Sequence, residues 1–177
     1  MGQPREELLR SGLLVRGIEQ LSQAVGIAGA MLLVPLVLVT CYEVVARYAF
    51  GAPTIWAYEI GYMLTGAHFL LGMAFTLRAG EHIRIDVFSG KFSSKTRACI
   101  DLLGYAVVLP LTIWVALHLL RYFTNGLSSG ERSGASAFNM QVWPFRLIFF
   151  TAFALLALQV IAEVLKLLGC LRAAHTR

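Results

Sequence analysis

This sequence predicts an all-α integral membrane protein, with four transmembrane helices behind a short N-terminal amphipathic helix. Three observations carry that expectation. Of the 177 residues, 58% are hydrophobic and only 14% charged, against roughly 25% charged in ordinary soluble domains. Mean hydropathy is +0.70. Four stretches, at about 20–41, 56–77, 98–120 and 145–166, each reach the roughly 20 apolar residues that a helix needs to cross a bilayer. They are too long and too continuously apolar for strands of a membrane barrel, which alternate over about 10 residues. Length suits one domain, so residues 1–177 are expected to form a single membrane domain.

The elements follow in order. The leader "MGQPREELLRSGLLVRGIEQ" carries three Glu and lacks the compact basic start of a signal peptide. It reads as an amphipathic helix lying on the membrane, with Leu9, Leu13 and Ile18 toward lipid and Arg5, Arg10 and Arg16 near headgroups. The first span contains Pro35, a kink point that a membrane helix tolerates when neighbours re-satisfy the freed carbonyl. It continues through "CYEVVARYAFGAP", where Glu43 and Arg47, four apart, share a face and pair. Pro53 and Thr54 mark a turn and the N-cap of the second helix. Along that helix Gly61, Thr65, His68, Gly72 and Thr76 recur at three- and four-residue intervals. Such small residues let helices approach closely, and Thr or His can hydrogen-bond across the contact. Packing within the chain is the favoured use of this stripe, and a face for another subunit is the alternative.

The third helix follows the basic "GKFSSKTR", with Asp101 near its start and Pro110 and His118 further along. The connection "TNGLSSGERSGASAFNMQVWP" is rich in Ser and Gly and is expected to be mobile or loosely packed. Trp143 suits an interfacial anchor. In the last helix Thr151, Gln159 and Glu163 fall near one face, and Glu163 lies three residues from Lys166, the spacing of a solvated pair.

Lys and Arg set the orientation. With both termini inside, 11 of the 15 basic residues fall on the inner side, leaving Arg47, Arg121, Arg132 and Arg146 outside. The net charge of +5 is then explained by attraction to anionic lipid and calls for no nucleic-acid partner. Cys41, Cys99 and Cys170 are divided between the two surfaces, which argues against a disulfide, and their spacing is not that of a zinc site.

The densest cluster of polar side chains is "GEHIRIDVFS", residues 80–89. His82 and Asp86 share a face on a helix, and His82, Arg84 and Asp86 share one on a strand. Neither arrangement supplies the three or four ligands of a metal site, and Arg84 repels a cation. A membrane-surface loop is the favoured reading. Bis-His haem ligation, which would make the chain a membrane electron carrier, is disfavoured by depth. At 1.5 Å per residue, His68 and His118 differ by roughly 15 Å along the membrane normal, whereas two axial ligands of one haem need similar depths. A self-sufficient small transporter needs ionisable or broken elements near the midplane. Here His68 is the only ionisable group at that depth, and no inverted repeat is visible. The residues point to a support for another protein, with no cofactor.

Taken in order, these segments resemble the small membrane subunit, the DctQ family, of tripartite ATP-independent periplasmic (TRAP) transporters. The resemblance runs through "ARYAFGAP", then Trp56 and Glu59 in "IWAYEIGY", then "TGAHFLLGMAF" and "AGEHIRIDVF". It ends on the Trp-Pro before the last helix and "LALQVIAEV". It implies a chain in the bacterial inner membrane with no catalytic centre, bracing a large membrane subunit. That partner moves a solute, often an organic acid, delivered by a periplasmic binding protein and driven by an ion gradient. The residues expected to serve folding or partner contact are Arg47, Trp56, Glu59, Gly61, Thr65, His68, Gly72, His82 and Asp86. Arg47 and Glu59 are expected to form a polar clamp at the outer surface, with Trp56 at the lipid boundary and His82 and Asp86 holding the inner loop.

Overall fold

The computed structural model of the chain describes residues 3–79 and 94–175, with side chains within 12–79 and 100–169. His82 and Asp86 lie outside the described residues. Five helices account for most of what is described: α1 (Gln3–Met31), α2 (Leu33–Ala49), α3 (Ala57–Ala79), α4 (Ser94–Ser129) and α5 (Trp143–His175). Helices α1 and α2 are two halves of one membrane segment, parted only at Leu32. Four stretches among the described residues are long and apolar enough to cross a membrane: Gly12–Ala49, Ala57–Ala79, Ile100–Ser129 and Trp143–Gly169. Each contains most of an expected span and extends beyond it.

The described part of the leader is helical and runs without a break into the first span as part of α1. The interruption falls at Leu32, three residues before Pro35. Pro110 lies inside α4, which passes it uninterrupted.

The core is built from small side chains. Among the described residues, eight of the 11 buried hydrophobic ones are alanine, and the others are Leu77, Leu155 and Val160. Large apolar side chains face outward: Leu103 is 73% exposed, Phe69 70% and Leu38 64%. A soluble protein would do the reverse. In lipid the hydrophobic effect does not drive helices together, so contact is won by close backbone approach between small residues. Helix α5 packs against α1, α3 and α4, and α3 against α1, α2 and α5. Three glycines bring apolar helix faces into close contact. A Cβ on Gly26 would stand 2.5 Å from the Phe75 Cβ, one on Gly29 3.0 Å from the Leu71 Cβ, and one on Gly66 2.6 Å from the Phe145 Cζ.

The stripe on α3 therefore divides. His68 turns inward, its Nδ1 3.0 Å from the Gly29 carbonyl of α1. Thr65 and Thr76 bond back to the carbonyls of Gly61 and Gly72 in their own helix, at 2.8 and 2.9 Å. Gly61 and Gly72 face open space, with room for a Cβ. Among the glycines that bring helices of this chain together are Gly26, Gly29 and Gly66, and none of these was singled out by the periodicity.

Candidate functional site

Two polar clusters lie at opposite ends of the bundle. At the end that carries the α4–α5 connection, Glu43 on α2 binds in two directions. One carboxylate oxygen accepts from Arg47 Nε at 3.0 Å and Nη2 at 2.5 Å. The other accepts from the Thr54 amide at 3.0 Å and from its hydroxyl. Thr54 Oγ1 in turn accepts from the Ala57 amide at 3.3 Å, which makes it the N-cap expected for α3. Tyr42 and Trp56 stack beside this contact, centroids 5.7 Å apart and planes at 24°. Glu43 thus fixes the α2–α3 turn from both sides, with Arg47 balancing its charge.

Glu59 bonds to the α4–α5 connection. Its side chain is fully buried, and its carboxylate accepts from the Ser136 hydroxyl at 2.5 Å and the Met140 amide at 2.9 Å. Arg47 pairs with Glu43, as their spacing predicted, so Arg47 and Glu59 take part in two separate contacts at this end. Glu59 is the anchor of the α4–α5 connection.

That connection is ordered, contrary to its Ser/Gly composition. Arg132 and Gln141 form an antiparallel bridge. The Ser133 amide donates to Met140 O at 2.8 Å, and Val142 to Glu131 O at 3.2 Å. Gly130 and Gly134 take left-handed conformations, φ +61° and +59°, where a side chain would be strained. Asn139 does the same at φ 51°, and its Oδ1 accepts from the Gly134 amide at 3.1 Å. The glycines here provide tight reversals of direction.

Arg146 closes the loop from the other side. Only 5% of its side chain is exposed. Its Nη2 lies 2.7 Å from the Glu131 carboxylate, its Nη1 donates to the Tyr122 carbonyl at 3.3 Å, and its Cζ sits 3.6 Å from the Tyr122 ring centroid. Its Nε has no hydrogen-bond partner. Lying over an aromatic face is a favourable place for a desolvated guanidinium. Gly126 makes room for it, since a Cβ there would collide with the guanidinium.

At the opposite end, a polar ladder ties α1 to α5. Ser22 Oγ donates to Gln159 Oε1 at 2.8 Å, and both residues are fully buried. Gln159 Nε2 donates to Glu163 Oε1 at 3.0 Å. Lys166 Nζ then reaches Glu163 at 2.6 Å and Glu19 of α1 at 3.0 Å. The Glu163–Lys166 pair read from spacing is present, but it is half-buried and recruits another helix. Sequence spacing missed Ser22 and Glu19, because only the packing of α1 on α5 brings them near.

The two span histidines are used separately: His68 bonds to Gly29, and His118 meets Trp114 edge-on, centroids 4.5 Å apart. No group of three or more His, Cys, Asp or Glu able to hold a metal ion occurs among the described residues.

Charges and amides that tie helices and a loop together, on four apolar spans, define a helical integral membrane protein with an internally stapled frame. The family model for the DctQ component of tripartite ATP-independent periplasmic transporters matches residues 36–170, and the chain belongs to that family. This is a family of transporter components, not of enzymes. A comparison with curated proteins gave no match.

Proposed function

We propose that this chain is the frame of its transporter: a small subunit that braces the large membrane subunit during ion-gradient-driven uptake of a solute, an organic acid in the favoured case. The solute arrives on a periplasmic binding protein, and both termini of this chain face the cytoplasm. The observation that carries the reading is how the buried polar side chains are used. Glu59, Arg146, Ser22 and Gln159 each bond to another element of the same chain. The apolar exterior and the open Gly61 and Gly72 positions leave a surface suited to lipid and to a partner's helices. The 11-to-4 division of Lys and Arg supports the orientation.

The test is reconstitution. The chain is co-expressed with a large membrane subunit of the same transporter class, purified by a tag on this chain alone, and assayed for uptake in proteoliposomes with several competing solutes. The frame reading expects co-purification, and uptake that requires this chain. Arg47→Ala and Glu59→Ala should lower the rate for all solutes alike. A change in which solute wins would place part of the transport site in this subunit and overturn the proposal.

A further inference from the structure

We infer that His68 is the latch of a hinge in the first membrane segment, fixing the angle between α1 and α2. The hinge begins with a missing donor. Pro35 has no N–H, so the Met31 carbonyl loses the bond that would carry one continuous helix from α1 into α2. The chain tightens at that point: the Leu32 amide bonds to Gly29 O, three residues back, at 3.2 Å. The Leu36 amide then restarts the ladder on Leu32 O at 3.2 Å. A break inside an apolar span exposes helix-end carbonyls where no water can serve them, so another part of the protein must.

His68 reinforces the break at one of these carbonyls, which the Leu32 amide already holds. Its Nδ1 lies 3.0 Å from Gly29 O. A carbonyl only accepts, so Nδ1 carries the proton and donates. Gly29 O therefore holds two donors, one from its own turn and one from α3. The close approach at Gly26 and Gly29 lays the α1 backbone against α3 and leaves the imidazole a clear path to the carbonyl. Beside the latch lies an apolar cavity of about 390 Å³, lined in part by Gly26, Ile27, Phe69, Gly72 and Phe75.

The latch has a consequence at the far end of α2. From Leu33 to Glu43 the helix is a lever of about 15 Å, so a swing of about 10° moves Glu43 by roughly 2.6 Å. That is enough to part its carboxylate from Thr54 and to unstack Tyr42 from Trp56. An imidazole on α3 thus decides whether the loop-end cluster closes, although it touches none of its members.

The test reads the sideways swing of α2. Spin labels replace Tyr48 on α2 and Leu127 on α4, both exposed, in the full-length chain with its native cysteines changed to serine, in lipid nanodiscs. Double electron–electron resonance should give one narrow distance distribution. In His68→Leu a second population should rise roughly 3- to 20-fold, the range that one interhelical hydrogen bond in a bilayer supports. His68→Asn, whose amide nitrogen occupies the Nδ1 position, should keep the narrow distribution. Pro35→Ala restores the N–H for Met31 O, so adding His68→Leu to it should broaden nothing further. Three results would overturn the latch: an unchanged distribution in His68→Leu, broadening in His68→Asn equal to that in His68→Leu, or equal broadening with and without Pro35. If His68→Leu does not accumulate, His68→Ala against His68→Asn decides the question by the same comparison.

Discussion

Replacing Gln159 by Leu asks whether α1 is held on α5 by hydrogen bonding or by packing alone. The two side chains are close in volume, so the steric change is small. Two bonds are lost, from Ser22 Oγ at 2.8 Å and to Glu163 Oε1 at 3.0 Å. Glu163 keeps Lys166 at 2.6 Å, and Lys166 keeps Glu19 at 3.0 Å, so the damage concentrates on the buried Ser22 hydroxyl. An interhelical hydrogen bond in a bilayer contributes about 0.6 kcal/mol on average and up to about 1.7. A buried hydroxyl left without a partner costs roughly 1–3 kcal/mol, less where Ser can turn to the carbonyl four residues back in its own helix. Gln159→Leu should therefore destabilise by ~1–2 kcal/mol. Ser22→Ala should cost about 0.5–1.5 kcal/mol in the native background and close to nothing beside Gln159→Leu, a coupling of about 1 kcal/mol. Reversible unfolding in mixed micelles, followed by tryptophan fluorescence, measures all four corners of the cycle. Equal costs of Ser22→Ala in both backgrounds would refute the polar ladder and leave packing as the tie.

Three further outcomes are expected. Gly126→Leu drives a side chain into the Arg146 guanidinium and should destabilise by ~1–3 kcal/mol, the range for overpacking. A thermal shift assay should show the same loss in Gly126→Leu as in Gly126→Leu combined with Glu131→Ala, because the collision already breaks that ion pair. Gly66→Leu collides with Phe145 and should lower the melting temperature of the isolated chain, whereas Gly61→Leu meets open space and should leave it unchanged. If the Gly61 face receives another subunit, Gly61→Leu alone should reduce co-purification at constant stability, as read by pull-down. Finally, a membrane-impermeant thiol reagent applied from outside should label a cysteine at position 129 and miss one at 93; the reverse pattern would invert the orientation.

What the sequence determined follows from the bilayer's two simplest demands. Spans of about 20 apolar residues must be helices, because no water inside the hydrocarbon can satisfy an open backbone. That single rule predicted the four membrane helices, whose ends are longer because polar residues continue the hydrogen-bond ladder past the apolar core. Local spacing was equally reliable where both partners lie within one turn or one short loop. Glu43 with Arg47, the Thr54 cap and Glu163 with Lys166 were all legible in this way. Their neighbours along the chain are also their neighbours in space.

Tertiary structure decided the rest, and the reason is sequence separation. Glu59 has no partner within a helical turn; its acceptor oxygens are used by Ser136 and Met140, brought in by the α4–α5 connection. That connection looked loose because Ser and Gly usually mark loose loops, yet buried Glu59 and Arg146 hold it from two helices. Ser22 is one hydroxyl in an apolar run until α5 lays Gln159 against it, 137 positions away. The glycine stripe on α3 has the right period for a contact face, but period cannot say what faces it. Only the crossing of helices showed that Gly26, Gly29 and Gly66 make the close contacts while Gly61 and Gly72 stay open. A sequence fixes which groups a membrane segment must satisfy; the packing of the other helices fixes which groups do so.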